Sequence, residues 1–356
     1  MPAPAQQSGA TVEFNAQAVR ELLVRPHVTL ELLLETGTKL AEQEQFEAAR
    51  SVFVRAVADY PRSFEARYNL ALADLALAKF AEAQTTLEAS QPSSKNQQLA
   101  REYLSGKIYD ALGQTERAEQ SLAAAFHGSP QQENYALDLG LHYLKQRAYA
   151  KAVDTLQVAV QYHPDSIYAA LGLGLGQVLG DDPQRAVATC RKILTQDPNF
   201  AAARLLLVAS LYMNNENEQC IRETAAALER PGAHPYLYYL HASSLLKTNS
   251  KDYAGMLRDL SAATRGISGC AFCYFAQSKV HEALGDEAEA IKDLETLVAR
   301  VDPDFSQGWY RLANLYQHVG RQDDATRARA RFRAIRTAET DRESEYLRNL
   351  FLDALK

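Results

Sequence analysis

The chain has 356 residues, 47% hydrophobic and 23% charged, so it carries enough apolar material for a sizeable core and does not have the composition of a disordered polymer. A formal net charge of −6 supplies no basic face to neutralise phosphates, which removes nucleic acid from the expected partners. No apolar run is long enough to cross a membrane, and the cysteines Cys190, Cys220, Cys270 and Cys273 are too few for a disulfide framework at this length.

Residues 1–12, opening MPAPAQQSGA, lack the charged and apolar regions of a signal peptide and read as a flexible N-terminus. Their Pro, Ala and Gln content is that of a mature end left after a signal is removed. The compartment therefore stays open between the cytoplasm and an exported (periplasmic or secreted) mature chain. Over residues 13–29, Asn15 is placed to cap a short helix bearing Ala18, Val19, Leu22 and Leu23, which Pro26 ends. This helix is expected to cap the structure that follows.

From residue 30 to 333 two independent registers recur. Pro130, Pro164 and Pro198 are 34 residues apart. Ala49, Ala83, Ala118, Ala152, Ala186 and Cys220 step by 34, 35, 34, 34 and 34. Within each period apolar residues fall at three- and four-residue spacing, and breaks such as Asp181-Asp182-Pro183 divide it in two. The unit is thus helix, turn, helix. Tyr60-Pro61, His163-Pro164, Asp197-Pro198 and Asp302-Pro303 end second helices, because proline cannot continue one and disfavours helical geometry in the residue before it.

The series Trp309, Leu312, Ala313, Tyr316, Gly320 and Ala325, with Gly37, Leu40, Ala49, Phe53, Ala56 and Pro61 and then Gly140, Tyr143, Ala152, Leu156, Ala159 and Pro164, resembles the tetratricopeptide repeat family. The resemblance implies an all-α, right-handed superhelical solenoid of about nine helical hairpins. Small residues at Gly37, Ala71, Gly106, Gly140, Gly174 and Ala242 are expected to let each first helix approach the alanine of its second. The register slips by about two residues between Ala242 and Tyr253, where Thr248-Asn249-Ser250 makes a polar break.

Residues 334–356 follow as a C-terminal capping segment. Thr340 to Glu343 reads as a capping box opening a helix whose stripe of Leu347, Leu350, Phe351, Ala354 and Leu355 must be buried; packing back on the last repeat is the expectation.

In the resembled family the first helices line an inner, concave surface, which assigns positions three before, one after and four after each small residue to a groove. In the first half these include Tyr68, Leu72, Tyr103, Lys107, Leu137 and Leu141. Leu171, Leu175, Tyr212 and Tyr239 follow, with Tyr168, Tyr236 and Phe272 one turn earlier on the same side. Phe275, Tyr310 and Asn314 continue the series. A groove this rich in leucine and tyrosine suits a protein or peptide segment with apolar anchors. Two readings stay open: these side chains meet a partner, or they pack against neighbouring first helices. The carboxylate clamp of Lys, Asn and Arg found in chaperone adaptors of the family is not evident, since Leu137 and Leu141 stand where the groove continues.

Catalytic patterns are thin. Gly172-Leu-Gly-Leu-Gly176 lies inside a helix rather than after a strand, so it is not a phosphate loop, although Gly172 leaves a notch facing the groove. Cys270 and Cys273 have redox-motif spacing without the surrounding βαβ unit; a local disulfide or simple packing is the expectation. There is no HExxH or Gly-x-Ser-x-Gly. The expectation is a non-enzymatic interaction scaffold, monomeric, without metal or cofactor. The alternative is a structural or assembly subunit of a cell-envelope or secretion complex acting through its convex face and terminal helix.

Overall fold

The computed structural model describes residues 16–230, 232–335 and 342–355. The expected flexible N-terminus, the Asn15 cap and the start of the Thr340 capping box lie outside them. Every regular element among the described residues is helical, and the chain forms two compact units, Met1–His142 and Tyr143–Lys356.

In the first unit α1 (Ala16–Val24) lies against α3 (Phe46–Asp59), the partner of α2 (Leu30–Glu42). Val19 and Val28 enter one core with Leu33, Leu40 and Phe53. Arg55 reinforces the join by donating from Nη1 to the Leu23 carbonyl at 2.6 Å. Next come α4 (Phe64–Ala76) with α5 (Phe80–Glu88), α6 (Lys95–Ala111) with α7 (Thr115–Gly128), and α8 (Glu133–Lys145), within which the first unit ends.

In the second unit α9 (Tyr149–Tyr162) packs on α10 (Ile167–Leu179), itself paired with α11 (Pro183–Gln196). The pairs α12 (Ala201–Met213) with α13 (Asn217–Leu228) and α14 (Pro235–Lys247) with α15 (Tyr253–Gly266) follow. Then α16 (Ala271–Leu284) pairs with α17 (Glu287–Thr296), which ends in a π-helical turn, and α18 (Ser306–His318) pairs with α19 (Gln322–Ile335). The last helix is α20 (Arg342–Ala354).

The hairpin tips repeat one backbone device. Glu44, Ala78, Gly113, Arg147, Asp181, Asn215, Asn249, Gly285 and Gly320 all have positive φ, between 55° and 80°. The residue after each donates its N–H five residues back, as in Gln45 to Leu40 (2.9 Å), Lys79 to Asp74 (2.8 Å) and Arg321 to Tyr316 (2.8 Å). This is the Schellman closure, which satisfies carbonyls left unpaired at a helix end. Successive tips are 34 or 35 residues apart except from Asn249 to Gly285, where the interval is 36. The two-residue slip read from the polar break is therefore real and sits in one loop.

Helix starts are set by side-chain caps. Ser63, Ser94 and Ser166 accept from the N–H groups of Ala66, Gln97 and Ala169 at 3.1–3.2 Å, and Asp252 accepts from Gly255 at 2.9 Å. A second recurring bond crosses the proline corner. The residue six positions after the proline donates to its carbonyl in Arg67 to Pro61 (3.1 Å), Arg204 to Pro198 (2.7 Å) and Trp309 to Pro303 (2.8 Å).

The close helix approach has a different partner from the expected alanine. A Cβ on Gly37 would stand 2.3 Å from the Phe53 ring, and one on Gly106 would stand 2.6 Å from Leu122 Cγ and 2.9 Å from the Leu122 backbone nitrogen. The contact falls one turn beyond Ala49 and Ala118. Helical side chains lean toward their own N-terminus, so the large residue a turn further on covers the space the alanine leaves.

Two stability changes follow. Gly106→Ala meets backbone as well as side chain and should lower unfolding free energy by about 1–3 kcal/mol in denaturant titration. Ala78→Gly should raise it by about 0.5–1 kcal/mol, because relief of roughly 1–2 kcal/mol of left-handed strain exceeds roughly 0.4–1 kcal/mol of added chain entropy.

Candidate functional site

The two units present their first-helix faces differently. In the first unit Tyr68 stacks on Phe64 with centroids 5.6 Å apart and stays half-buried. Leu72, one turn on, is 38% exposed and walls a cavity of about 310 Å³ lined also by Thr38, Ala41, Phe46, Phe53 and Asn69. Beside it, Leu30, Leu34 and Thr38 of α2 form a second depression rimmed by Glu31, Glu35, Glu42 and Glu65. Lys39 neutralises one of these acids through a 2.6 Å pair with Glu35. Leu34 and Thr38, three before and one after Gly37, fall under the groove rule, whereas the acids, on the flanks of the same helices, do not.

Further along, the Tyr103 hydroxyl donates to Asp138 at 2.5 Å, its ring lies 4.7 Å from that of Tyr135, and Lys107 Nζ is 3.0 Å from the same carboxylate. Lys107 is thus part of an internal triad. Burial, then the Asp138 charge, pushes the Tyr103 phenol far above its usual range. Burial pushes Tyr68 up to about 12. Both hydroxyls are protonated donors at neutral pH. Leu137 is half-buried and Leu141 is buried.

In the second unit Tyr168 is 50% exposed and edge-on to Phe200, while Leu171 and Leu175 are fully buried. Tyr212 is half-buried beneath Lys247, whose Nζ sits 3.6 Å from the ring centroid. Tyr236, Tyr239 and Phe272 are buried together, Tyr239 and Phe272 at 4.7 Å between centroids. Phe275 is half-buried against Phe305, Tyr310 is 55% exposed beside Phe332, and Asn314 is exposed.

Part of this surface lies against α20. That helix lies against α10 and α16, and its Tyr346 ring stands 5.2 Å from Tyr236 and 5.5 Å from Phe272. Leu347 and Phe351 are at most 1% exposed, and Leu355 Cδ1 is 3.8 Å from where a Gly172 Cβ would be. Burial pushes the Tyr346 phenol up to about 12. The terminal helix therefore packs mainly on α10 and α16 and not, as expected, on the last repeat, and its Leu347, Phe351 and Leu355 are buried there. The Gly172 notch is shared between Leu156 of α9, 3.4 Å from the Cβ position, and Leu355 just past α20.

Tetratricopeptide repeat models match residues 40–103 and 180–243, and a second such model matches 103–167 and 137–199. The chain belongs to the tetratricopeptide repeat family. No curated protein matches its sequence. Similar solved structures include a tetratricopeptide repeat protein of Parabacteroides merdae, 15% identical, covering 70% of this chain and 98% of that one with a TM-score of 0.48. The C-terminal part of a repeat-containing protein of Cytophaga hutchinsonii is 16% identical, with 77% and 97% covered and a TM-score of 0.48. A thermophilic repeat protein of Thermus thermophilus is 24% identical, with 51% and 99% covered and a TM-score of 0.42. The repeats make this chain a scaffold of the protein–protein interaction type. No helix among the described residues is long and apolar enough to cross a membrane.

The titratable groups of this repeat array are used locally. His142, His241, His281 and His318 each pair with one carboxylate, at 2.6–2.8 Å, from Asp110, Asp259, Asp293 and Glu287. Among the described residues no three His, Cys, Asp or Glu side chains converge as a metal site. Cys270 and Cys273 form a disulfide at the start of α16. Cys190 and Cys220 are free and buried, and burial pushes their thiols up to about 12 and about 11.

A thiolate is the reactive form, so neither free cysteine should react with a disulfide reagent at pH 8 in the native chain. After denaturation without reductant two thiols of the four should titrate, and all four after reduction.

Proposed function

We propose that this chain is a non-enzymatic scaffold that holds an extended or helical polypeptide segment on the first-helix face of its first unit. The observation that carries the reading is the open cavity walled by Leu72, one turn along α4 from half-buried Tyr68. A cavity of about 310 Å³ takes one large apolar side chain, and Tyr68 a turn away offers both ring surface and a hydroxyl donor. The neighbouring rim of four glutamates against one lysine favours a partner that carries lysine or arginine next to its anchor. Affinity comes from the anchor; the acids supply orientation and a faster encounter.

Support for this reading over assembly through the terminal helix comes from α20, whose apolar stripe is already buried within its own unit. Selection of short peptides from a displayed random library against the full chain tests the proposal. The enriched peptides should pair an aromatic or leucine with basic residues. The variant Tyr68→Ala with Leu72→Ala, folded by circular dichroism, should bind them about tenfold or more weakly. Peptides that bind wild type and folded variant equally would place the site elsewhere.

A further inference from the structure

The hairpins beneath α20 are complete without it. Each first helix, α10, α14 and α16, is closed by its own second helix, α11, α15 and α17. What α20 covers is the opposite, first-helix face, so a thirteen-residue segment from outside the repeats lies on them as a guest. Its attachment is apolar and aromatic: Tyr346 on Tyr236 and Phe272, Leu347 and Phe351 fully enclosed, Leu355 over Gly172. A polar contact to the repeats is a 3.5 Å pair between Glu345 and Arg147, with 35% and 53% of the side chains exposed, and such pairs hold little. A helix laid by its apolar side into a groove, with anchors spaced about a turn apart, is a recurrent mode of peptide recognition.

We propose that the first-helix face of the second unit is a helix-binding groove, that α20 is its tethered occupant, and that an amphipathic helix of a partner protein takes its place. The partner's chemistry is read from the guest. It carries an aromatic residue for the Tyr236 and Phe272 rings, leucine or phenylalanine one and five positions later, a further leucine for the Gly172 notch, and an acid in its first turn for Arg147. Tethering gives α20 a high effective concentration, so the intact chain excludes an isolated helix that the vacated groove would bind. The inference concerns the second unit and does not rest on the peptide site proposed for the first.

The test uses the full chain and a fluorescent synthetic peptide of wild-type sequence 342–355. In the chain, Leu347→Glu with Phe351→Glu places two charges in the apolar contact and releases α20. This variant should keep its helical circular dichroism and its cooperative melting, and should bind the peptide at least about tenfold more tightly than wild type does. Tyr346→Ala, which removes only the ring contacts, should give a smaller gain, and a peptide carrying the two glutamates should not bind. A folded double variant that ignores the peptide overturns the proposal. So does loss of cooperative melting, which would make α20 part of the core. Wild type that sediments as a dimer and exchanges its own helix with the peptide would assign the groove to a second copy and overturn the partner assignment.

Discussion

One backbone hydrogen bond governs the whole array. At each hairpin tip the chain passes through a single left-handed residue, and the next N–H returns to a carbonyl five positions back on the first helix. That closure fixes where the second helix begins on the circumference of the first. The second helix then starts two residues after the tip, except after Asn249, and a glycine such as Gly106 lies under the following helix's Leu122. Glycine suits the tip, yet Glu44, Ala78 and Arg147 also occupy it. Packing across the hairpin outweighs the roughly 1–2 kcal/mol that a side chain costs there.

Much of this was legible in the residues. The period, the breaks and the slipped loop near Asn249 come from proline, glycine and small residues whose constraints are local, and local constraints survive folding unchanged. The partner of the small residues was misplaced by a turn, because residue spacing carries no information on the lean of side chains along a helix. The larger omission concerned α20. An apolar stripe announces that a helix must be covered, and the apolar first-helix faces announce the same need, but periodicity cannot tell that the two requirements satisfy each other. Tyr236, Tyr239 and Phe272 were assigned to the first-helix groove by spacing alone, which carries no sign that Tyr236 and Phe272 meet Tyr346, a residue far along the chain, with Tyr239 packed on both.

The composition of α10 takes on meaning in this light. All residues from Ala169 to Val178 are buried, which is unusual for a helix in a repeat array. It is contacted by α9, α11, α12 and α20, so from Ala169 to Val178 it offers no residue to water. Its glycines let four neighbours approach at once: a Cβ on Gly174 would meet Leu206 at 3.1 Å, and one on Gly176 would meet Val153 at 3.1 Å. The run that imitates a phosphate loop is a helix stripped of bulk to accommodate company on every side.

The bond across the proline corner bears on how such repeats diverge. An indole in Trp309 and guanidinium groups in Arg67 and Arg204 reach the same carbonyl over the same six-residue span. Chemically distant side chains ending in an N–H make the bond equally well there, and Ala136 and Ala170 hold the same place after Pro130 and Pro164 with no side-chain donor. Letters can therefore drift there while the helical hairpin persists, so a pattern written as tryptophan undercounts the repeats. Repeat grafting between arrays could use the same freedom, exchanging an aromatic for a charged surface at the corner without disturbing the joint.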